Sequence, residues 1–350
     1  MSVFGTLRKF WHAYLKKTTM KKTNRRLAKH CDGYYLSKEQ EAAARAYFAP
    51  YGKIDMTSHN FYFQKTQRFC ENYLPEDLLY GYVDPYFNDW REAQFADNKS
   101  LYRLNYRDIP QPVAVAMRIK GLWYDGNYRL TSKEELVERL AKEPEIVVKI
   151  ASESGGGSGV SFVPGKDFLS AAAKIRDDIV AELPLRQHEK LAAINPSSVN
   201  TLRIVSLLTQ EGVKFYSAVL RFGIKGSRVD NSSAGGYSAG VDLETGRLKK
   251  DAYLLSGVHI TQHPDSGIVF DGYEVPGFHK ALEQTRKLHL QTPRFRLVHW
   301  DFAIDEQGEP VFIEANMHYG GVDLHQLDNG PIFGDDTKKI LDEVFTYVKR

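Results

Sequence analysis

Apolar and polar positions divide the chain into a helical first part and a later part in which strands and helices alternate. Residues 37–95 are rich in Tyr and Phe, and Ser37 opens a capping sequence before a helix that Pro50 would end. A second helix is expected over residues 60–72. We therefore predict a mainly helical N-terminal region over residues 31–96.

From residue 97 onward, short apolar or β-branched runs are separated by turn residues and by stretches of helical periodicity. This alternation is typical of an α+β fold. A helix is expected to begin at Asp97-Asn98-Lys99. Strands are predicted over residues 113–119, 145–150, 179–185, 204–209 and 214–222.

The segment from residue 296 to residue 321 predicts a hairpin. Two apolar runs, Val298–Ile304 and Pro310–Ala315, flank the turn-forming residues Asp305–Glu309. The alternation of side chains along a strand then decides which polar groups of this hairpin lie on one face.

Three oxygen-bearing side chains lie in this hairpin. Glu314 and Asn316 are two residues apart and face the same side of their strand, and the partner strand can bring Asp301 beside them. Two carboxylates and an amide form a hard oxygen-donor set that suits Mg²⁺ and suits zinc poorly. For this stretch alone, an acidic hairpin tip exposed to water is the equal alternative.

A lysine and a glycine-rich loop follow each other after residue 145. Lys149 lies inside an apolar strand, where an ammonium group is costly unless it meets an anion. A loop whose backbone N–H groups can close over phosphates follows directly. We interpret the pair as a nucleotide lid rather than a plain hairpin loop; the predicted lid residues are Gly155, Gly156, Gly157, Ser158 and Gly159.

Two predicted strands carry arginines near their ends, Arg203 and Arg221. Their planar guanidinium groups can bind phosphate or carboxylate with two parallel hydrogen bonds, and surface salt bridges are the alternative. Residues 230–240 are small, polar and glycine-rich, which predicts a mobile loop over a site, with a plain linker as the alternative.

Composition is compatible with two or three lobes in a chain of 350 residues with 42% hydrophobic content. Cys31 and Cys70 have neither metal-ligand nor disulfide spacing, which fits a reducing compartment. We find no apolar run long enough to span a bilayer and no signal-peptide pattern, and we therefore expect a cytoplasmic protein.

Charge is distributed unevenly. The net charge of +3 divides into +9 for residues 1–31 and −6 for the remainder. Phe4, Leu7, Trp11 and Tyr14 recur at helical spacing in this basic arm, which is typical of a helix in the headgroup region of an anionic membrane. A helix docked on the body is an equal alternative, and the acidic body makes nucleic acid the weakest of the three.

The order of these features resembles the ATP-grasp superfamily over roughly residues 97–330. The fragments NPSSVNTLRIVSLL, AVLRFG, VDNSSAGGYSAG and HWDFAIDEQGEPVFIEANMHYGGVDLHQL are similar to the sugar-transfer-associated ATP-grasp group in particular. The resemblance implies two α+β lobes that hold ATP between antiparallel sheets. The lobes are expected over residues 97–181, with the lid, and 182–350, with the metal site.

The resemblance also implies roles for individual residues. Lys99 and Lys149 would contact ATP phosphates, Glu182 and Leu185 would lie at the adenine, and Arg203 would contact the terminal phosphate or an acyl phosphate, with Arg221 and Asn231 nearby. The implied Mg²⁺ ligands are Asp301, Glu314 and Asn316. His318 stands where several relatives carry arginine, which leaves acceptor recognition open.

The implied reaction joins a carboxylate to an amine through an acyl phosphate, with ATP and Mg²⁺. We expect a small-molecule or glycan carboxylate, such as a uronic acid, in cell-surface polysaccharide synthesis, and peripheral membrane contact through residues 1–30. A peptide-forming amino-acid ligase and a non-catalytic nucleotide-binding scaffold are the alternatives.

Overall fold

The structure is a computed structural model. It describes residues 14, 17–18, 20–152 and 159–349, without the side chains of residues 233, 348 and 349. Two wholly antiparallel sheets dominate this part of the chain. One sheet has five strands and the other has seven.

The smaller sheet has the order β2-β1-β5-β3-β4. Its strands are β1 (Ala114–Ile119), β2 (Leu122–Asp125), β3 (Ile146–Ile150), β4 (Val160–Val163) and β5 (Ile179–Glu182). Alternate residues of these strands are buried with Trp123 and Phe168, whose rings meet edge to face at 5.8 Å.

The larger sheet has the order β10-β9-β8-β7-β6-β11-β12. Its strands are β6 (Thr201–Thr209), β7 (Gly212–Phe222), β8 (Tyr237–Val241), β9 (Leu248–Tyr253), β10 (His259–Ile260), β11 (Leu297–Ile304) and β12 (Pro310–Asn316). The predicted hairpin is confirmed, because β11 and β12 pair with Asp301 opposite Glu314.

Helices surround the two sheets. Before α1, the described residues 14, 17–18 and 20–28 are helical. A π-helical turn (Leu79–Val83) joins α3 to α4, and short 3-10 turns occupy Ala49–Tyr51, Lys99–Leu101, Gly165–Asp167, Ser232–Ala234 and Gly334–Asp336. The α-helices are α1 (Lys38–Phe48), α2 (Thr57–Thr66), α3 (Glu76–Leu78), α4 (Asp84–Phe87), α5 (Trp90–Ala96), α6 (Tyr102–Asn105), α7 (Lys133–Leu140), α8 (Phe168–Ala172), α9 (Glu189–Ile194), α10 (Phe278–Gln291), α11 (Asp323–Asn329) and α12 (Thr337–Lys349).

The N-terminal helices pack on the larger sheet. Leu207 and Leu297 of that sheet are buried with Phe48, Leu78 and Leu341 in one core. Leu207 and Leu297 lie opposite each other, and each is four residues from the charged residue of its own strand, Arg203 or Asp301. Alternation therefore places both charged residues on the face of the sheet that this core covers. The N-terminal region therefore borders whatever these charged residues bind.

Residues 97–112 were expected to belong to the smaller lobe. The rings of Tyr102 and Tyr106 lie 5.2 and 5.0 Å from that of Phe312, and both tyrosines are buried in the core of the larger sheet. The segment therefore connects the two sheets, and its packing is with the larger one.

Two local predictions were wrong. The second helix runs from Thr57 to Thr66 rather than over residues 60–72, because Gln67 adopts a left-handed conformation that ends it. The predicted loop of residues 230–240 ends early, because Tyr237–Val241 is a fully buried strand. Its Gly240 permits close packing, since a Cβ there would lie 2.5 Å from Oδ1 of Asn329.

Among the described residues, no helix is both long enough and apolar enough to cross a membrane.

A buried histidine gives the fold a predicted acid dependence. His289 Nε2 donates to the carbonyl oxygen of Phe295, Nδ1 accepts from the Ser206 hydroxyl, and burial lowers the pKa of His289 to about 4. The unfolded chain binds this proton near pH 6.5, so stability is complete above that pH and falls toward pH 4.

We expect His289→Gln to reduce the loss of unfolding free energy between pH 7.5 and pH 5 by about 1 to 2 kcal/mol. Urea titrations at both pH values measure this difference. His259→Gln, at a half-exposed ring, is the matched control. An unchanged pH dependence in His289→Gln would show that other groups cause the acid sensitivity.

Candidate functional site

A cleft of about 710 Å³ lies between the two sheets. Its walls include β3, the residues after β5, the charged face of β6, β7, β11 and β12, and the N-terminal helices. The predicted site residues that line it are Lys99, Lys149, Gly159, Glu182, Leu185, Arg203, Arg221, Asn231, Asp301, Glu314 and Asn316. The structure therefore brings together the predicted residues that it describes.

Sheet register explains why four of these residues meet. Arg203 of β6 lies opposite Asp301 of β11, and Asp301 lies opposite Glu314 of β12. Arg221 of β7 lies opposite Thr201, two residues from Arg203 and so on the same face. The charged groups form one row across adjacent strands.

The carboxylate of Asp301 is held by both arginines. Arg203 Nε and Nη2 donate to its two oxygens at 2.6 and 2.7 Å, and Arg221 Nη2 donates at 2.9 Å. Burial disfavours the charged carboxylate, but the two guanidinium groups outweigh burial and keep the pKa of Asp301 below its usual value. Arg221 is itself 8% exposed, so the alternative of a surface salt bridge is excluded for it.

Lys99 and Glu314 form the next pair. The ammonium of Lys99 lies 2.6 Å from Oε1 of Glu314, and both side chains are largely buried. Lys99 lies in a short 3-10 turn, capped by Asn98, and not in a long helix. Asn316 Nδ2 donates to the carbonyl oxygen of His299 at 3.3 Å, two residues along β12 from Glu314.

Lys149 of β3, whose burial would be unfavourable without an anion, pairs with a carboxylate of the protein itself. Lys149 Nζ lies 2.6 Å from the carboxylate of Glu182 at the end of β5, and each side chain is 14% exposed. The predicted strand of residues 179–185 ends at Glu182, where the N–H of Leu183 donates to the carbonyl oxygen of Val113. Leu185 follows in the cleft wall.

The predicted lid lies mostly outside the described residues, namely Gly155, Gly156, Gly157 and Ser158. Gly159 is described, and its carbonyl oxygen accepts from the N–H of Ile150 at 2.9 Å.

Asn231 lines the cleft beside Asp230, which accepts from the Thr201 hydroxyl and lies 3.6 Å from Arg221. Arg228 binds Glu145 with two hydrogen bonds and lies 3.8 Å from the ring centre of Phe162, thereby joining the two lobes at the mouth of the cleft. Asp230 and Arg228 were not predicted, because neither carries a distinctive sequence pattern.

A charged group that no sequence pattern indicated lies at the N-terminal wall of the cleft. Arg26 lies 3.2 Å from Glu76 and forms an ion pair with Asp323, and all three line the cleft. In the sequence, Arg26 is one of several basic residues of the arm, and no pattern distinguishes it from the others. Its position shows that the end of this arm packs on the body.

Comparison with known proteins identifies the family. The model of the sugar-transfer-associated ATP-grasp proteins matches residues 167–341, half of the chain. The chain belongs to this ATP-grasp family. The expected α+β ATP-grasp fold, with a mainly helical N-terminal region, is thereby confirmed. No match was found among curated protein sequences.

Solved structures similar to this ATP-grasp protein include D-alanyl-alanine synthetase A from Vibrio cholerae, at 14% identity over 72% of this chain and 65% of that one, with a TM-score of 0.44. An L-amino acid ligase from Bacillus licheniformis is 15% identical over 71% and 47%, with a TM-score of 0.41. An N5-carboxyaminoimidazole synthase from Aspergillus clavatus, solved with ADP, is 15% identical over 73% and 54%, with a TM-score of 0.41. The chain thus spans about half to two thirds of these structures.

The ATP-grasp family implies ATP and Mg²⁺, and the cleft residues fit both. Among the described residues no group of three or more His, Cys, Asp and Glu can hold a metal. Asp301, Glu314 and Asn316 instead offer two carboxylates and one amide on adjacent strands, an oxygen set that suits Mg²⁺. Four cationic side chains, Lys99, Lys149, Arg203 and Arg221, line the same cleft and suit a polyphosphate.

Proposed function

We propose that this chain is an ATP- and Mg²⁺-dependent ligase that joins a carboxylate to an amine through an acyl phosphate. The observation that carries the proposal is the row Arg221, Arg203, Asp301 and Glu314 across β7, β6, β11 and β12, with Lys99 beside it in the cleft. Two guanidinium groups lie beside two carboxylates in this row, and both arginines as well as Lys99 reach a carboxylate within hydrogen-bonding distance. Charges of both signs are thus held side by side, as the transfer of a phosphoryl group with its metal requires.

In the proposed reaction, the substrate carboxylate attacks the terminal phosphate of ATP, and an amine then displaces phosphate to form the amide. Lys149 and Lys99 would hold the phosphate chain, and Arg203 and Arg221 would bind the transferred group in planar, two-point contact. Asp301, Glu314 and Asn316 would hold Mg²⁺, which neutralises phosphate charge when bound. No serine or cysteine nucleophile is assigned.

The carboxylate is proposed to belong to a glycan or a small sugar acid, in cell-surface polysaccharide synthesis or decoration. The family's description as sugar-transfer associated supports this substrate class.

One assay tests the function. The protein is incubated with ATP, Mg²⁺ and a panel of uronic acids and amines, and mass spectrometry follows ADP and condensation products. ADP and an amide that require one acid and one amine together would support the ligase. Tight nucleotide binding without turnover on any pair would instead indicate a scaffold.

We expect Glu314→Gln to reduce turnover by at least about 100-fold, because the proposed Mg²⁺ site loses one of its two carboxylates. Glu309→Gln is the matched control, since Glu309 lies in the same hairpin but forms an exposed pair with Lys280. Near-normal activity of Glu314→Gln would exclude the proposed metal ligand.

Peripheral membrane contact through residues 1–30 stays a prediction. Phe4, Leu7 and Trp11 lie outside the described residues, whereas Tyr14 is 61% exposed. Deletion of residues 1–19 preserves Arg26 and is expected to abolish co-sedimentation with anionic liposomes. Unchanged co-sedimentation of the deletion variant would rule the contact out.

A further inference from the structure

The N-terminal wall of the cleft carries a charged group that the proposed reaction has not yet used. Asp323, at the start of α11, and Glu76, at the start of α3, share the single guanidinium of Arg26. Asp323 is 3% exposed and Glu76 is 11% exposed at the side chain. Tyr62 donates a hydrogen bond to Asp323, and Thr23 donates one to Glu76.

A short chain of contacts connects this group with the proposed phosphoryl site. Arg203 Nη1 donates to the carbonyl oxygen of Gly320, and the N–H of Gly321 donates to the hydroxyl of Tyr80. Asp323 follows two residues later and begins α11. Asp323 therefore follows the loop whose Gly320 contacts Arg203, and Glu76 is joined to Asp323 through Arg26.

The charge of the group favours an additional cation. Two carboxylates face one guanidinium, and the other hydrogen bonds come from neutral hydroxyls. Burial and the nearby carboxylate of Asp323 raise the pKa of Glu76 to about 8, although Arg26 opposes the shift. Because Arg26 alone does not balance two carboxylates, Glu76 holds a proton at neutral pH. An ammonium ion would replace that proton, whereas a further carboxylate would be repelled.

His325, two residues after Asp323 in α11 and in contact with β7 and β11, supplies an independent sign of a ligand in the same cleft. Ser217 accepts a hydrogen bond from Asn329, and we assign its own proton to the contact with His325 Nδ1. In this tautomer the other ring nitrogen, Nε2, carries the histidine proton. This Nε2–H has no hydrogen-bond partner within the described part of the chain, and His325 is 2% exposed and lines the cleft. A buried donor of this kind requires an acceptor.

We propose that Glu76 and Asp323 bind the amine substrate as an ammonium ion, and that His325 donates to an oxygen atom of the same molecule. The amine is then of a class that carries an oxygen near its nitrogen, as amino acids, amino alcohols and amino sugars do. This inference rests on the proposed ligase function and deepens it, because it assigns the amine to the N-terminal wall and the acyl phosphate to the arginine row.

The proton balance of the second step then has a place in the structure. The ammonium passes one proton to a carboxylate of the pair, and the free amine attacks the acyl carbon. The new C–N bond forms as the bond from carbon to the phosphate oxygen breaks. Phosphate leaves with the bonding electron pair and takes up the second nitrogen proton.

Three small probes of similar size test the site by saturation-transfer NMR, with the full chain and Mg²⁺–ADP. Ethanolamine carries an ammonium and an oxygen, ethylene glycol is neutral, and glycolate is an anion. We expect binding of ethanolamine only. Glu76→Gln should weaken it about tenfold, since one charge-assisted hydrogen bond is lost. Glu274→Gln, at an exposed pair with Lys190, should leave it unchanged.

Arg26→Met provides a test with the opposite sign. Removing the competing guanidinium should strengthen ethanolamine binding, a result that a purely structural role of the cluster would not produce. The proposal is overturned by absent ethanolamine binding, by a preference for glycolate, or by weaker binding in Arg26→Met. The ADP signals in the same spectra separate the two proposals. If ethanolamine bound but ADP did not, the ligase proposal would be contradicted and the ammonium site would be retained.

Discussion

Asp301→Asn is expected to lower the free energy of unfolding by about 3 to 5 kcal/mol, because it removes the only carboxylate that both buried arginines contact at 3 Å or less among the described residues. The asparagine has the same size and accepts one hydrogen bond, so packing is retained. Arg203 and Arg221 would each remain charged in a buried position. Urea unfolding followed by circular dichroism measures the change.

Glu309→Gln in the same hairpin serves as the control, and its effect should be below about 1 kcal/mol because its pair with Lys280 is exposed. If Asp301→Asn lowered the free energy of unfolding by less than about 1 kcal/mol, water or other groups would have replaced the carboxylate. Added Mg²⁺–ADP should stabilise the wild type and fail to stabilise Asp301→Asn.

The hairpin of the site is predictable from sequence because its information is local. Turn residues between two apolar runs fix the pairing of β11 and β12, and alternation then places Glu314 and Asn316 on one face. The position of Arg203 beside Asp301 depends on pairing between strands that are distant in sequence. The periodicity of apolar residues predicts both strands but gives no information about the register in which they pair.

Charge partners were the hardest part to predict. The strand around Lys149 requires an anion nearby, and sequence reasoning supplied a phosphate, whereas the structure places Glu182 there. The phosphate contact of Lys149 stays a prediction, in which a phosphate group of the nucleotide would take the place of the Glu182 carboxylate. The pairing of Arg26 with Asp323 spans almost the whole chain, and nothing in a basic N-terminal segment distinguishes the one arginine that packs inward.

Two sequence patterns gave wrong secondary structure because composition does not report tertiary contacts or individual backbone angles. Small residues at positions 230–240 indicated a loop, but a glycine in a buried strand can also reflect the close approach of another element, here Asn329 of α11. The helix predicted over residues 60–72 extended past Gln67, where the chain turns into the left-handed region. In both cases a tertiary contact or a single backbone angle overrides composition.

If the proposed phosphate and metal sites are correct, the paired charges of the cleft make the two ligands bind interdependently. Lys99 is within 3 Å of Glu314, and Lys149 is within 3 Å of Glu182. A phosphate chain that attracted Lys99 would free the carboxylate of Glu314 for Mg²⁺, and Mg²⁺ on Glu314 would free Lys99 for phosphate.

Lys99→Met separates these effects, and we expect it to change two affinities in opposite directions. Without its lysine, Glu314 is free in the absence of nucleotide, and Mn²⁺, used as the probe for Mg²⁺, should bind the nucleotide-free protein about fivefold more tightly. ADP should bind about tenfold more weakly, because one phosphate contact is lost. Electron paramagnetic resonance of free Mn²⁺ and calorimetric titration of ADP measure the two constants independently of turnover.

Lys280→Met, which breaks the exposed pair with Glu309, should change neither affinity. If Lys99→Met weakened Mn²⁺ and ADP together, Lys99 would act by holding the site in shape, and the proposed exchange of partners at Glu314 would not occur.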